Sequence, residues 1–196
     1  MLTLRNNTPP EYDTSKEDSL NWKPTKDEYK KLEAASFCCS SCGFVATPRA
    51  SVCPSGYMEL VDIDGKTKVL CAICAQSQYL TRPINGVNNH GLIIYAPGMT
   101  QGHITHLART LYVSRYKDDA NTERSRALIS KITSELVNPV SEMIHDFESG
   151  SAREFGNILT SLSPKANKNI GPLLECLRYW PYFEVFEMQV ALWSEV

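Results

Sequence analysis

The chain of 196 residues lacks any apolar run near the roughly 20 residues that a membrane span requires. Its opening stretch, MLTLRNNTPPEYDTSKEDSLNWKPTKDEYKK, has no apolar h-region, so no secretory signal is expected and the chain is placed in the cytosol. Excess basic charge is also missing. Lys and Arg number 20 against 22 Asp and Glu, a net charge of −2. That excludes a nucleic-acid binder working by bulk electrostatics and leaves only a local basic patch open. There is no internal repeat, no phosphate-binding loop, no nucleophile–base set and no basic–aromatic stripe. No histidine stands between Cys42 and Cys71.

What the chain does have is cysteine, seven in all. In a reducing compartment that number suggests metal binding before disulfides. Two C-x-x-C pairs stand out, Cys39/Cys42 in CSSCGF and Cys71/Cys74 in LCAICAQS. Two intervening residues let both sulfurs reach one ion in a tight knuckle, and Gly43 tolerates the positive φ of the turn beneath it. The interval from Cys42 to Cys71 exceeds the usual ribbon spacing but accommodates a loop and a hairpin. Four thiolates suit one tetrahedral zinc ion, with iron the lesser option. Cys38 and Cys53 compete for the ligand role, and Cys176, at helical spacing among leucines, reads as core.

A four-thiolate zinc site is closed, with no position for an activated water, so the metal is expected to be structural. A zinc nuclease of the ββα type carries a catalytic imidazole on its hairpin. Here the hairpin reads LVDIDG, and Ala75 follows Cys74. Asp62 and Asp64 offer either a hard-cation site or simply a turn with surface charge. His103 and His106 lie three apart on a helix, without a third ligand in sequence, and His90 and His145 have no neighbouring signal. The residues alone therefore favour a metal-stapled binding module over an enzyme.

The remaining segments follow from periodicity and caps. Residues 1–24 read as a polar tail. Thr25 to Glu28 fits a capping box for a helix over 26–35. Residues 57–63 and 68–70 alternate as strands about an Asp64-Gly65 turn, and a helix is expected over 72–80. RPINGVNNHG is a loop, Leu92 to Tyr95 a short strand, and Thr100 an N-cap. Ile104, Leu107, Ala108, Leu111 and Tyr112 then fall on one helical face. Beyond that the chain reads as helical. One stripe runs through Leu128, Ile129, Ile132, Leu136 and Val137, with a break at Asn138-Pro139. A second capping box is expected at Ser151 to Glu154, a loop at SPKANKNIG, and Pro172 in a first helical turn.

The series CSSCGF, VDIDG, LCAICAQSQYL and GLIIYAPGMTQGHITHLARTLYV resembles the DotN (IcmJ) family of type IVB secretion and conjugation systems, best over residues 26–115. Pro181 and Trp193 also fit. The loop over 47–57, with Cys53-Pro54, and the short 65–69 connection depart from the family pattern. The resemblance implies an α+β fold: a small ββα-type, HNH-nuclease-like zinc module (25–115) after the tail, followed by a mostly α-helical region packed on it (116–196). It implies one structural Zn2+ held by Cys39, Cys42, Cys71 and Cys74, and no catalysis. It also implies an adaptor in a coupling-protein complex at the cytoplasmic side of the inner membrane, binding an extended segment of the DotL/TraD-like coupling ATPase, its C-terminal tail above all. The alternatives are a divergent HNH-like nuclease using Asp62, Asp64 or His90 with a divalent cation, or a DNA-binding zinc protein without catalysis. For a partner surface, the sequence offers the aromatics Trp180, Tyr182, Phe183, Phe186 and Trp193, or equally the face from Leu92 to Leu111; large apolar groups of this kind more often fill the chain's own core, and that is the favoured reading for the aromatics.

Overall fold

The computed structural model describes residues 4–5, 24–49, 53, 55–84, 86–144, 147, 149–163 and 170–195. The chain is α+β, and its elements follow local rules. Helix α1 (Lys26–Ala34) starts at Thr25, whose hydroxyl accepts from Glu28 N–H while the Glu28 carboxylate accepts from Thr25 N–H. That reciprocal cap is the expected box. Strands β1 (Met58–Ile63) and β2 (Lys66–Cys71) pair antiparallel from Met58↔Cys71 to Ile63↔Lys66. Asp64 and Gly65 between them have φ of 53° and 72°, the left-handed pair that a two-residue hairpin turn requires. Helix α2 (Ala72–Gln76) follows β2 without a break and is shorter than expected. Gln76 ends it by turning its amide to the carbonyls of Tyr79 and Arg82, at 2.9 and 2.7 Å.

Leu4 and Arg5, from the expected tail, are docked on this hairpin. Leu4 is buried, Arg5 N–H donates to the Ser77 carbonyl, and the Arg5 guanidinium grips both Asp64 carboxylate oxygens at 2.7 and 3.0 Å. Residues 6–23 of that tail, His145, Pro54 and most of the SPKANKNIG loop lie outside the described residues.

Strand β3 (Gly91–Tyr95) leads into the long helix α3 (Gln101–Lys117), capped at Thr100. Helices α4 (Thr122–Glu135), α5 (Asn138–Met143) and α6 (Ala152–Ser161) follow, with Pro139 in the first turn of α5. The cap expected at Ser151 does not form; the Glu154 carboxylate is instead taken by the Ser149 hydroxyl. Residues 170–174 are helical.

The main departure from a helical second half is strand β4 (Leu177–Pro181), antiparallel to β3 from Gly91↔Pro181 to Tyr95↔Leu177. All five of its residues are buried, so it has no alternation for a period-two reading to detect. The pair also crosses the boundary expected at residue 115. Its free edge is closed by a side chain: the Gln101 amide donates to Tyr179 O and accepts from Tyr179 N–H, both at 2.9 Å. A 3-10 turn (Phe183–Val185) and helix α7 (Glu187–Trp193) complete the chain. Trp180, Phe183, Phe186 and Trp193 are buried and Tyr182 half-buried. These C-terminal aromatics therefore pack largely into the protein's own core.

His90, just before β3, is fully buried. Its Nε2–H donates to Leu80 O at 2.9 Å, and Nδ1 lies 3.0 Å from the Tyr179 hydroxyl. Burial lowers its pKa from 6.5 to about 4. Between those values the unfolded chain takes up a proton that the folded chain refuses, so stability falls as pH drops below 6.5 and the loss levels off near pH 4. Urea denaturation across this window should show a decline of about 3 kcal/mol attributable to this residue. It should be missing from His90→Gln; an identical slope in both proteins would show that His90 is not buried as the neutral base.

Candidate metal centre

The hairpin and α2 bring the second cysteine pair to one point. Cys71 ends β2 and Cys74 lies in the first turn of α2. The first pair arrives in a knuckle after α1. Cys39 N–H donates to Phe44 O at 2.7 Å, Gly43 N–H to Cys39 O at 2.8 Å, and Gly43 adopts φ of 71°. Both the N–H and the hydroxyl of Ser40 donate to Val69 O, which fastens the knuckle to β2.

The four sulfurs of Cys39, Cys42, Cys71 and Cys74 lie within 4.8 Å of one another, and all four residues are buried. Cys42 Sγ and Cys71 Sγ are 3.7 Å apart. A tetrahedron of sulfurs at zinc's usual bond length of about 2.3 Å has edges of about 3.8 Å. The cluster is thus consistent with a single metal-ion site. All seven cysteines are free. The competing thiols stand elsewhere. Cys38 Sγ points to Gly43 O at 3.8 Å, buried Cys53 accepts from Tyr57 N–H at 3.2 Å, and half-buried Cys176 faces Pro172 O.

Proton affinities show how crowded the sulfurs are. Hydrogen bonds from Cys42, Cys71 and Cys74 hold the Cys39 thiol far below its ordinary value. The same kind of contact, from Cys39 first, pushes Cys71 well up, and burial does so for Cys74. Cys42, raised by Cys39 but pulled down by Cys71 and Cys74, settles at about 7. Crowded together and buried, the thiols oppose one another's ionisation. Four thiolates together need a multivalent positive charge.

Helix α3 supplies the surroundings, and sequence reasoning missed them. Arg109, buried, donates from Nη2 to Cys42 Sγ at 3.1 Å. Its guanidinium lies 4.1 Å above the Phe44 ring and 5.5 Å from that of Trp193. The Cys74 thiol donates to Thr105 Oγ1 at 3.3 Å, and the Gln101 amide donates to the same oxygen. Gly102, Thr105 and Arg109 occupy one helical face beside the apolar stripe. That run of small and polar residues was the available signal. Gly102 allows the close approach: a Cβ there would meet Ser41 O at 2.5 Å and Cys42 Cα at 3.3 Å.

The other singled-out groups are not in the cluster. Asp64 is held by Arg5, which lowers its pKa first by hydrogen bonding and then by charge. Asp62 accepts from the Thr67 hydroxyl at 2.6 Å. His103 caps its own helix, its Nδ1 accepting from Thr100 N–H, and His106 is exposed. Compared with known proteins, the chain matches no family model and no curated protein.

Two outcomes test this centre. Cys39→Ser or Cys74→Ser should lose the metal and unfold at least the first half of the chain, since structural zinc contributes about 10–16 kcal/mol of apparent binding energy. Metal analysis with thermal melts would show it, and a variant of unchanged metal content and melting would refute the ligand set. Gly102→Ala should cost about 1–3 kcal/mol by pushing α3 off the knuckle, measured by chemical denaturation; no change would mean that the approach is looser than described.

Proposed function

We propose that the chain is a zinc-stapled, non-catalytic adaptor subunit of a type IV coupling complex of the DotN (IcmJ) kind, gripping a segment of the coupling ATPase. The supporting observation is the closed donor set: four cysteine sulfurs, from a knuckle and from a hairpin–helix junction, converge with no oxygen or imidazole ligand among them. Four thiolates fill a tetrahedral zinc ion and leave no place for water or substrate, so the ion staples and does not catalyse. A hairpin followed directly by a short helix at the cysteines supports reading this part as a ββα zinc module of the HNH type. The groups a nuclease of that type would use are engaged otherwise. Asp64 is bound by Arg5, Asp62 by Thr67, and His90 is sealed in the core. Among the described residues no helix is long and apolar enough to cross a membrane, so a place at the inner membrane would come through the partner.

Calorimetry with the C-terminal tail of a cognate coupling ATPase tests the reading. Saturable association is expected, and its absence with both components folded would count against it. In parallel, supercoiled plasmid with magnesium or manganese should stay intact. Nicking that disappears in Asp62→Ala would replace the adaptor with a divergent metal-dependent nuclease.

A further inference from the structure

Helices α3 and α4 lie side by side, and their outer surfaces enclose a groove of about 580 Å³. The face that α4 turns inward carries Thr122, Ser125 and Ile132. Leu128, expected in the apolar stripe, is left 38% exposed on the groove wall. Leu111 and Val113 form the floor opposite, and Arg109 closes one end. Arg109 Nε is buried there without a hydrogen-bond partner.

The charges around this groove are sorted. Asp119 accepts from the Ser114 hydroxyl and from Asn121 N–H, both at 2.7 Å, and Glu123 is paired with Arg126 at 2.7 Å. Lys117 and Arg124, both exposed on the rim, have no ion pair among the described residues. Asp119 also lines the groove and feels the charge of Lys117, but Lys117 and Arg124 outnumber it and leave the rim with a surplus of positive charge beside an apolar floor.

We propose that the α3–α4 groove is a docking site for an acidic amphipathic segment of a partner protein. Its apolar side chains would cover Leu111, Val113 and Leu128, and its carboxylates would meet Lys117 and Arg124. This is the helix-in-groove mode, with charge fixing register on an apolar contact. A nucleic acid fits less well, because a phosphate backbone offers nothing to the apolar floor. The inference rests on the adaptor reading and names the surface and the chemistry of the partner segment.

The test uses the full, metal-loaded chain and a fluorescein-labelled peptide with Glu and Leu at helical spacing, followed by anisotropy. Saturable binding is expected, weakening as salt is raised. The double variant Lys117→Glu/Arg124→Glu, on exposed positions, should bind about tenfold or more weakly, and Leu128→Ser should also weaken binding. Unchanged binding by the double variant, equal binding of the Gln-for-Glu peptide, or displacement of the peptide by duplex DNA would overturn the proposal. Its failure is separable from that of the adaptor reading. If the coupling ATPase tail binds wild type and double variant alike, the groove is wrong and the adaptor stands. If the acidic peptide binds as described and the tail does not, the groove stands and the adaptor falls.

Discussion

Convergence of four sulfurs from two distant segments is the constraint on which the first half of this molecule depends. Cys42 and Cys71 are 29 positions apart. Apart from the bonds of Ser40 to Val69, the knuckle has no secondary-structure ladder tying it to β2. A two-stranded hairpin is marginal by itself in water, and α2, at five residues, is far below the length at which an isolated helix persists. A multivalent cation at the sulfurs would turn these weak pieces into one unit, because the same four bonds would fix the knuckle, the strand end and the helix start.

Charge is the second consideration. Four thiolates around a divalent cation leave a formal excess of two negative charges, buried. Arg109 lies against Cys42 and brings one positive charge to it. The guanidinium stacks on Phe44 and reaches Trp193 of α7, so the counter-charge is held by the C-terminal helix as well as by α3. A hydrogen bond to a metal-bound thiolate draws electron density from the sulfur and fixes the ligand's orientation. The cage and the C-terminal core are thereby parts of one electrostatic arrangement, which explains why so long a cationic side chain is tolerated inside.

Much of this was legible beforehand. The two C-x-x-C pairs, Gly43 and the Asp64-Gly65 turn encode geometry locally, and Thr25 and Thr100 mark helix starts through hydrogen bonds that span only three residues. Such features read directly. Strand β4 did not, because a fully buried segment shows no periodicity and its partner β3 lies far away in sequence. The interior position of Trp180, Phe186 and Trp193 likewise depends on what the rest of the chain packs over them, which aromatic content cannot reveal. Arg109 was missed for a related reason. A charged residue on an amphipathic helix ordinarily marks the solvent face, and only the meeting of α3 with the knuckle turns that face inward.

The pairing of β3 with β4 also has a temporal side. Gly91 cannot meet Pro181 until the last part of the chain has left the ribosome. At ordinary elongation speeds of about 5–20 residues per second, β3 therefore waits on the order of ten seconds without its mate. GLIIY is short, apolar and rich in branched residues, the composition that seeks foreign strands when left bare. A nascent molecule of this kind is most exposed to aggregation at that moment.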